Sequence, residues 1–182
     1  MAFVRIKKIS GKEYAYFVTN SWTATGPRQK VAKYLGRVIR PAKTKSEKLG
    51  AFLGLESEKE LNEWISKSSF REIAVALINA EMSNHESNGL KIDAENAGFI
   101  DEEGKPFALA INEGFLCSQT AKKLLEYDAS ADYSGYNLAD ALTAAGIAVD
   151  KETFISLFGK AQAATKKVQA EAEKDAFKDF YY

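Results

Sequence analysis

Residues 2 to 40 read AFVRIKKISGKEYAYFVTNSWTATGPRQKVAKYLGRVIR. Three runs rich in β-branched and aromatic residues alternate with turn residues, the pattern of a three-stranded antiparallel meander. The first strand is expected at AFVRIKKI (2–9), and SGK (10–12) turns the chain. The second is expected at EYAYFVTNSW (13–22), followed by the Gly-Pro chemistry of TATGPR (23–28). The third, QKVAKYLGRVI (29–39), ends before Pro41.

A strand's side chains alternate between two faces. In the first strand Val4 and Ile6 oppose Arg5 and Lys7. In the second, Tyr14, Tyr16 and Val18 oppose Ala15 and Phe17; in the third, Val31 and Leu35 oppose Lys30, Ala32 and Tyr34. One face is expected to pack on the rest of the protein and the other to show cations and rings to solvent.

The charge around this stretch is lopsided. Residues 1 to 48 hold twelve Lys or Arg against two acids, Glu13 and Glu47, a net of +10. The remainder holds 13 basic and 23 acidic residues, a net of −10, so the 182-residue chain is neutral. A basic end beside an acidic body points to a polyanion partner, nucleic acid before an anionic membrane surface. The plainer alternative is that the two halves neutralise each other, but solvated charges gain little from pairing.

The rest reads as a mixed, mostly helical body. Module boundaries are expected to give a basic β-meander at 1–41, a connector at 42–56 that opens within the polar run PAKTKSEK (41–48), and an acidic helical and β-hairpin body at 57–182. The fold class is therefore α+β. Ser57 with Glu60, and Ser69 with Glu72, are capping boxes. The second opens a helix whose apolar face is Phe70, Ile73, Ala74, Leu77 and Ile78. FIDEEGKPFALAI (99–111) signals a hairpin around EEGKP. CSQTAKKLLEY (117–127) is a helix with Ser118 as its expected cap, and NLADALTAAGI (137–147) a helix ending at Gly146. A last helix starts after Asp150, with Phe154, Leu157, Phe158, Ala161, Thr165 and Val168 as its stripe.

Nucleic acid needs cations for its phosphates and rings or guanidinium planes for exposed bases. Arg5, Lys7, Lys8, Lys12, Arg28, Lys30, Lys33, Arg37 and Arg40 are the candidates for phosphate. Tyr14, Tyr16, Trp22 and Tyr34 are the candidates for stacking, the alternative being that the rings are core. Gly11, Lys12, Tyr14 and Tyr16, then Arg28, Gln29, Lys30, Tyr34, Leu35 and Gly36, form a pattern that resembles the basic β-rich module preceding some insertion-sequence transposases and Fic-type proteins. The resemblance covers about the first fifth of the chain and implies a portable nucleic-acid-binding module. The catalytic parts of those families do not follow: the Fic signature, His-Pro-Phe then Gly-Asn-Gly-Arg, is absent, and the chain is too short for a full transposase nuclease domain. The body, including INEGFLC (111–117), is similar to uncharacterised archaeal proteins, which implies no chemistry.

Other chemistry has little to stand on. His85, the single histidine, sits in the polar run SNHESN and is expected at the surface or as a cap. Cys117, the single cysteine, excludes an intramolecular disulfide and is expected as a small buried residue. DASADYSGYNLAD (128–140) resembles a calcium loop, but Tyr133 stands where the sharp-turn glycine belongs and Ala139 where the bidentate Glu belongs. A carboxylate pair between DEEGK (101–105) and Glu113 is the one acid/base candidate. Neither a metal nor another cofactor is expected.

The sequence thus supports a non-catalytic nucleic-acid-binding protein, RNA preferred to DNA because sheet platforms with rings suit unpaired bases. A ribonucleoprotein such as the ribosome is a candidate host. The alternatives are a regulatory module docking an acidic protein, or a carboxylate-based enzyme. A protein partner would engage the acidic body or the aromatic tail FKDFYY (177–182). With no signal-like or membrane-length apolar run, a cytoplasmic location away from membranes is expected.

Overall fold

The computed structural model describes residues 2–179 apart from Thr25, Asn88 and Tyr133. Its architecture is α+β. Strands β1 (Ala2–Ile9), β2 (Lys12–Thr23) and β3 (Gly26–Ile39) form the expected antiparallel meander. Three helices follow, α1 (Leu49–Phe52), α2 (Glu58–Lys67) and α3 (Phe70–Ser83), then four short strands, β4 (Leu90–Asp93), β5 (Gly98–Asp101), β6 (Phe107–Ile111) and β7 (Gly114–Leu116). The chain closes with α4 (Ser118–Leu125), a 3₁₀ turn at Ala129–Ala131, α5 (Tyr136–Ala145) and α6 (Lys151–Asp179). The aromatic tail expected to engage a partner ends in Phe180, Tyr181 and Tyr182, which lie outside the described residues. Among the described residues no helix is long and apolar enough to cross a membrane.

The meander is one end of a larger sheet. Its five strands run in the order β1-β2-β3-β6-β7. The end of β3 pairs in parallel with β6, Arg37 to Phe107, Val38 to Ala108 and Ile39 to Leu109. The hairpin expected at 99–111 divides between two sheets. Its first run, β5, pairs with β4, and its second, β6, lies between β3 and β7. An Ile100–Pro106 bridge, the Asp101 N–H bond to the Lys105 carbonyl (2.9 Å) and an edge-to-face contact of the Phe99 and Phe107 rings (5.8 Å) join the two runs. The reason is in β6 itself. Phe107, Leu109 and Ile111 face the helical core while Ala108 faces a second cluster, so β6 is apolar on both sides and suits the sheet interior.

Two cores follow from that alternation. The larger packs α3 (Ile73, Ala74, Leu77, Ile78), α4, α5 and Leu157 of α6 against Phe107, Leu109, Ile111 and Leu116. Burying each large apolar side chain there contributes about 1.5–3 kcal/mol. The smaller lies on the other face of the sheet: Ala15, Leu35, Val38, Ala108 and Cys117, with Val4, Ile6, Phe17, Ala110 and Phe115 around them. Residues from both ends of the sheet share this cluster, so the sheet is curled. Three alanines and a cysteine leave room for the close approach. A groove of about 520 Å³ between the ends is lined by Phe3, Val4, Phe17, Phe115, Lys123 and Asp140.

Two β-bulges produce the curl and overturn the simple alternation of β3. Tyr14 pairs with Arg37 and Ala15 with Gly36, but Tyr16 pairs with Tyr34, leaving Leu35 as an extra residue. Phe17 then pairs with Lys33 and Val18 with Val31, leaving Ala32 extra. Each extra residue bends the strand and re-aims its neighbours. Val31 and Leu35, expected on one face, part company: Leu35 is 1% exposed in the smaller core, whereas Val31 is 46% exposed. Gly36 makes the bulge at Leu35 possible. Its φ is +108°, and a Cβ there would lie 1.9 Å from the Pro106 carbonyl oxygen, so the backbone of the β5–β6 turn rests directly on the strand.

The helix ends follow their local chemistry. Ser57 Oγ accepts from Glu60 N (3.3 Å) and Ser69 Oγ from Glu72 N (3.2 Å), and both glutamates return the bond to the cap N–H. α4 begins one residue earlier than expected, capped at Cys117, whose N–H donates to Thr120 Oγ1 (3.1 Å). In α6, Leu157, Ala161 and Thr165 are buried but Val168 is exposed, so the stripe leaves the body before it.

Candidate nucleic-acid interface

Residues directly opposite on neighbouring antiparallel strands project to the same side. The register therefore assembles the exposed face of the meander row by row. Lys7 pairs with Tyr14 and Tyr14 with Arg37; Arg5 pairs with Tyr16 and Tyr16 with Tyr34; Ile9 pairs with Lys12. Next come Phe3 and Val31, exposed on either side of the buried Val18, then Asn20 with Gln29, then Trp22 with Pro27. The last four pairs, Asn20 with Gln29 to Thr23 with Gly26, reach past β1 as a two-stranded tip.

Side-chain contacts hold this face in shape. The Tyr16 and Tyr34 ring centroids lie 5.4 Å apart, and those of Tyr14 and Tyr34 6.4 Å apart. Lys7 Nζ stands over the Tyr16 ring at 5.2 Å, a cation–π contact. Arg5 donates to Gln29 Oε1 across β2. Tyr14 and Tyr16 are half-buried, while Tyr34 is 44% exposed and is the ring most open to a ligand. Burial, then the neighbouring Tyr16 and Tyr14 hydroxyls, hold the Tyr34 hydroxyl above the usual phenol range, against the opposing pull of Lys105. The ring is therefore neutral at physiological pH.

The register splits the candidate cations between faces. Arg5, Lys7, Lys12 and Arg37 share the tyrosine face. Lys8 is opposite Glu13, Arg28 opposite Ser21, Lys30 opposite Thr19 and Lys33 opposite Phe17, which places these four on the other side. All eight side chains are exposed. Arg40 differs from them, since its Nε and Nη2 both donate to Glu13 Oε2 at 3.1 and 2.9 Å. That ion pair occupies the one acid of the meander and draws Arg40 away from any phosphate. Phe3 reaches this face by the alternation of β1, whereas Val31 reaches it through bulges that leave no trace in the alternation.

The residues weighed for other chemistry are held in structural roles. His85, expected at the surface, is buried. Its Nδ1 lies 2.9 Å from the Glu81 carbonyl oxygen, and since a carbonyl only accepts, that nitrogen carries the proton. The connector makes the burial: Ala42 accepts from Glu86 N (3.0 Å), Asn84 O accepts from Thr44 N (2.8 Å), and Lys43 bridges to His85. Glu81, also buried, accepts from Asn112 Nδ2 (2.9 Å) and Ala148 N (3.2 Å) and so ties two loops to α3. Asp101–Lys105 and Glu113 stand at opposite ends of β6, which separates the one expected carboxylate pair. Asp132, read in the loop that resembles a calcium site, is buried and accepts from Tyr127 Oη and Leu138 N, both at 2.9 Å. Burial pushes its carboxyl up, but the Leu138 N–H, the Tyr127 hydroxyl and the Asn137 and Gly135 N–H groups together hold it below the usual range. Cys117 is buried, as a small apolar residue would be.

No family model, curated protein or solved structure matches the chain.

Proposed function

We propose that the protein binds nucleic acid without catalysing a reaction on it, with RNA preferred to DNA, through the tyrosine face of the meander. One observation carries the proposal: Arg5, Lys7, Lys12 and Arg37 share a face with the rings of Tyr14, Tyr16 and Tyr34. Phosphates attract the cations whatever the sequence, and an unpaired base stacks on the open Tyr34 ring. RNA is favoured because its recognition targets loops and single strands whose bases are splayed out. The second set of cations, Arg28, Lys30 and Lys33, flanks the same ribbon from behind and adds to the long-range field. The acidic body serves assembly or regulation, and a structured ribonucleoprotein supplies dense phosphate beside unpaired bases.

The test compares the two faces. Labelled RNA and single-stranded DNA are titrated across a salt series with the parent, with an Arg5, Lys7 and Arg37 to Glu variant, and with an Arg28, Lys30 and Lys33 to Glu variant. Binding that falls steeply with salt and is lost chiefly in the first variant is the expected result. If the parent binds neither polymer at low salt, the reading fails and the docking of an acidic protein replaces it.

A further inference from the structure

We infer that Trp22 is a second base-stacking station on the tyrosine face, so that the ligand is a single strand long enough to reach both stations. The inference rests on the nucleic-acid reading of that face and adds the length and the unpaired state of the ligand. β2 carries no extra residue of its own, because both bulges lie on β3. Tyr14, Tyr16, Val18, Asn20 and Trp22 therefore stay on one side of an unbroken strand. Trp22 stands six residues beyond Tyr16, a separation of about 20 Å at ~3.3 Å per residue. Stacked bases in one strand are spaced by ~3.4 Å, so about six steps connect the stations.

Three observations favour a base on Trp22. The indole is 84% exposed and belongs to neither apolar core. It sits on the ribbon tip beyond the last β1 pair, Ala2 with Thr19, where Thr23 Oγ1 donates to the Gly26 carbonyl at 2.8 Å. Trp22 shares its face with the exposed Phe3 and Val31, and exposed apolar residues grouped on one face mark an interaction site. The strip between the stations, Phe3, Val18, Val31, Asn20 and Gln29 beside Arg5, holds no acid, and Glu13 lies on the opposite face bound to Arg40. A phosphate chain meets no repulsion along it. An acidic peptide would use the cations but leave two spaced rings without a role.

The test uses the full chain. Oligouridylates from about four to about twelve nucleotides, and a blunt RNA duplex, are titrated by anisotropy, spanning the range of known single-strand site sizes. In parallel, emission is followed in the Trp64→Phe variant, where Trp22 is the sole tryptophan. Affinity should step up, and Trp22 emission be quenched, once the strand exceeds about six nucleotides. Trp22→Ala in the otherwise native chain should weaken the longest strand roughly 5- to 100-fold and leave the shortest unchanged. Its exposed position means that folding is not at stake. If salt-sensitive binding persists but Trp22→Ala matches the parent at every length, or the duplex binds more tightly than the strands, this inference is overturned and the tyrosine-face reading stands. If no oligomer binds at low salt, both fall.

Discussion

The two ends of β3 belong to one strand but to different surroundings. From Gly26 to Tyr34 every residue but Gly26 is exposed, whereas from Leu35 to Ile39 only Arg37 is. The first end offers side chains outward on a ribbon; the second is clamped between β2 and β6 with the Pro106 backbone laid on Gly36. A ligand face that projects from a protein needs such an anchor, because a two-stranded ribbon alone is marginally stable.

Matched substitutions break the comparison at its strongest point. Gly26 and Gly36 share a φ of +108°, so alanine meets the same backbone strain at each, about 1–2 kcal/mol. At Gly26 nothing lies within 4 Å of the added Cβ, and at Gly36 the turn backbone lies at 1.9 Å. Denaturant unfolding should show Gly36→Ala losing more than about 4 kcal/mol, or failing to fold, and Gly26→Ala losing only the strain. Equal losses would mean that the turn does not press on the strand. The next effect is smaller and tests the bulges. Leu35→Ala should cost about 2–4 kcal/mol and Val31→Ala under about 0.5 kcal/mol, although uninterrupted alternation gives them one environment.

Acid sharpens the contrast by acting on the body. Asp132 has a folded-state pKa below its unfolded value, so its contribution is complete above the unfolded value of roughly 3.9 and is lost as pH falls through the folded one. Asp132→Asn should lower stability at neutral pH by about 2 kcal/mol, and the gap from the parent should close as pH drops below about 4. A gap that stayed constant with pH would show that the loss is steric. The smallest effect on stability, under about 0.5 kcal/mol, is expected for Arg5, Lys7 and Arg37 all changed to Ala. The same variant should flatten the log–log salt dependence of single-strand binding by about 2, one increment of ~0.7 per lost phosphate contact. An unchanged slope would remove these three from the interface.

Local chemistry was legible in the residues. Ser10-Gly11, Gly26-Pro27 and Pro41 punctuate the strands, and the Ser-x-x-Glu pairs open α2 and α3, because each signal acts within a few residues. What alternation could not show is a register with extra residues, since it assumes one partner for each position. The β3–β6 pairing was hidden for another reason: it joins segments about 70 residues apart, and no local pattern names a distant neighbour. His85 misled because its neighbours are polar; the connector that covers it arrives from forty residues earlier. For the candidate interface, Arg5, Lys7, Tyr14 and Tyr16 could be grouped by counting along two regular strands, whereas Tyr34, Arg37 and Val31 depend on the bulges.

The parallel β3–β6 pair also sets a timetable. At about 5–20 residues per second, the ribosome delivers β6 roughly 4–15 s after β3. Throughout that interval the nascent meander has an open hydrogen-bonding edge and the uncovered apolar face of Val4, Ile6, Phe17 and Leu35. Open edges invite pairing with other chains, and lysine is a common protection against it. The net charge of +10 on the first 48 residues repels a second copy of the same nascent segment. The cations proposed for phosphate thus also disfavour pairing between two copies of the meander while the sheet waits for its fourth strand.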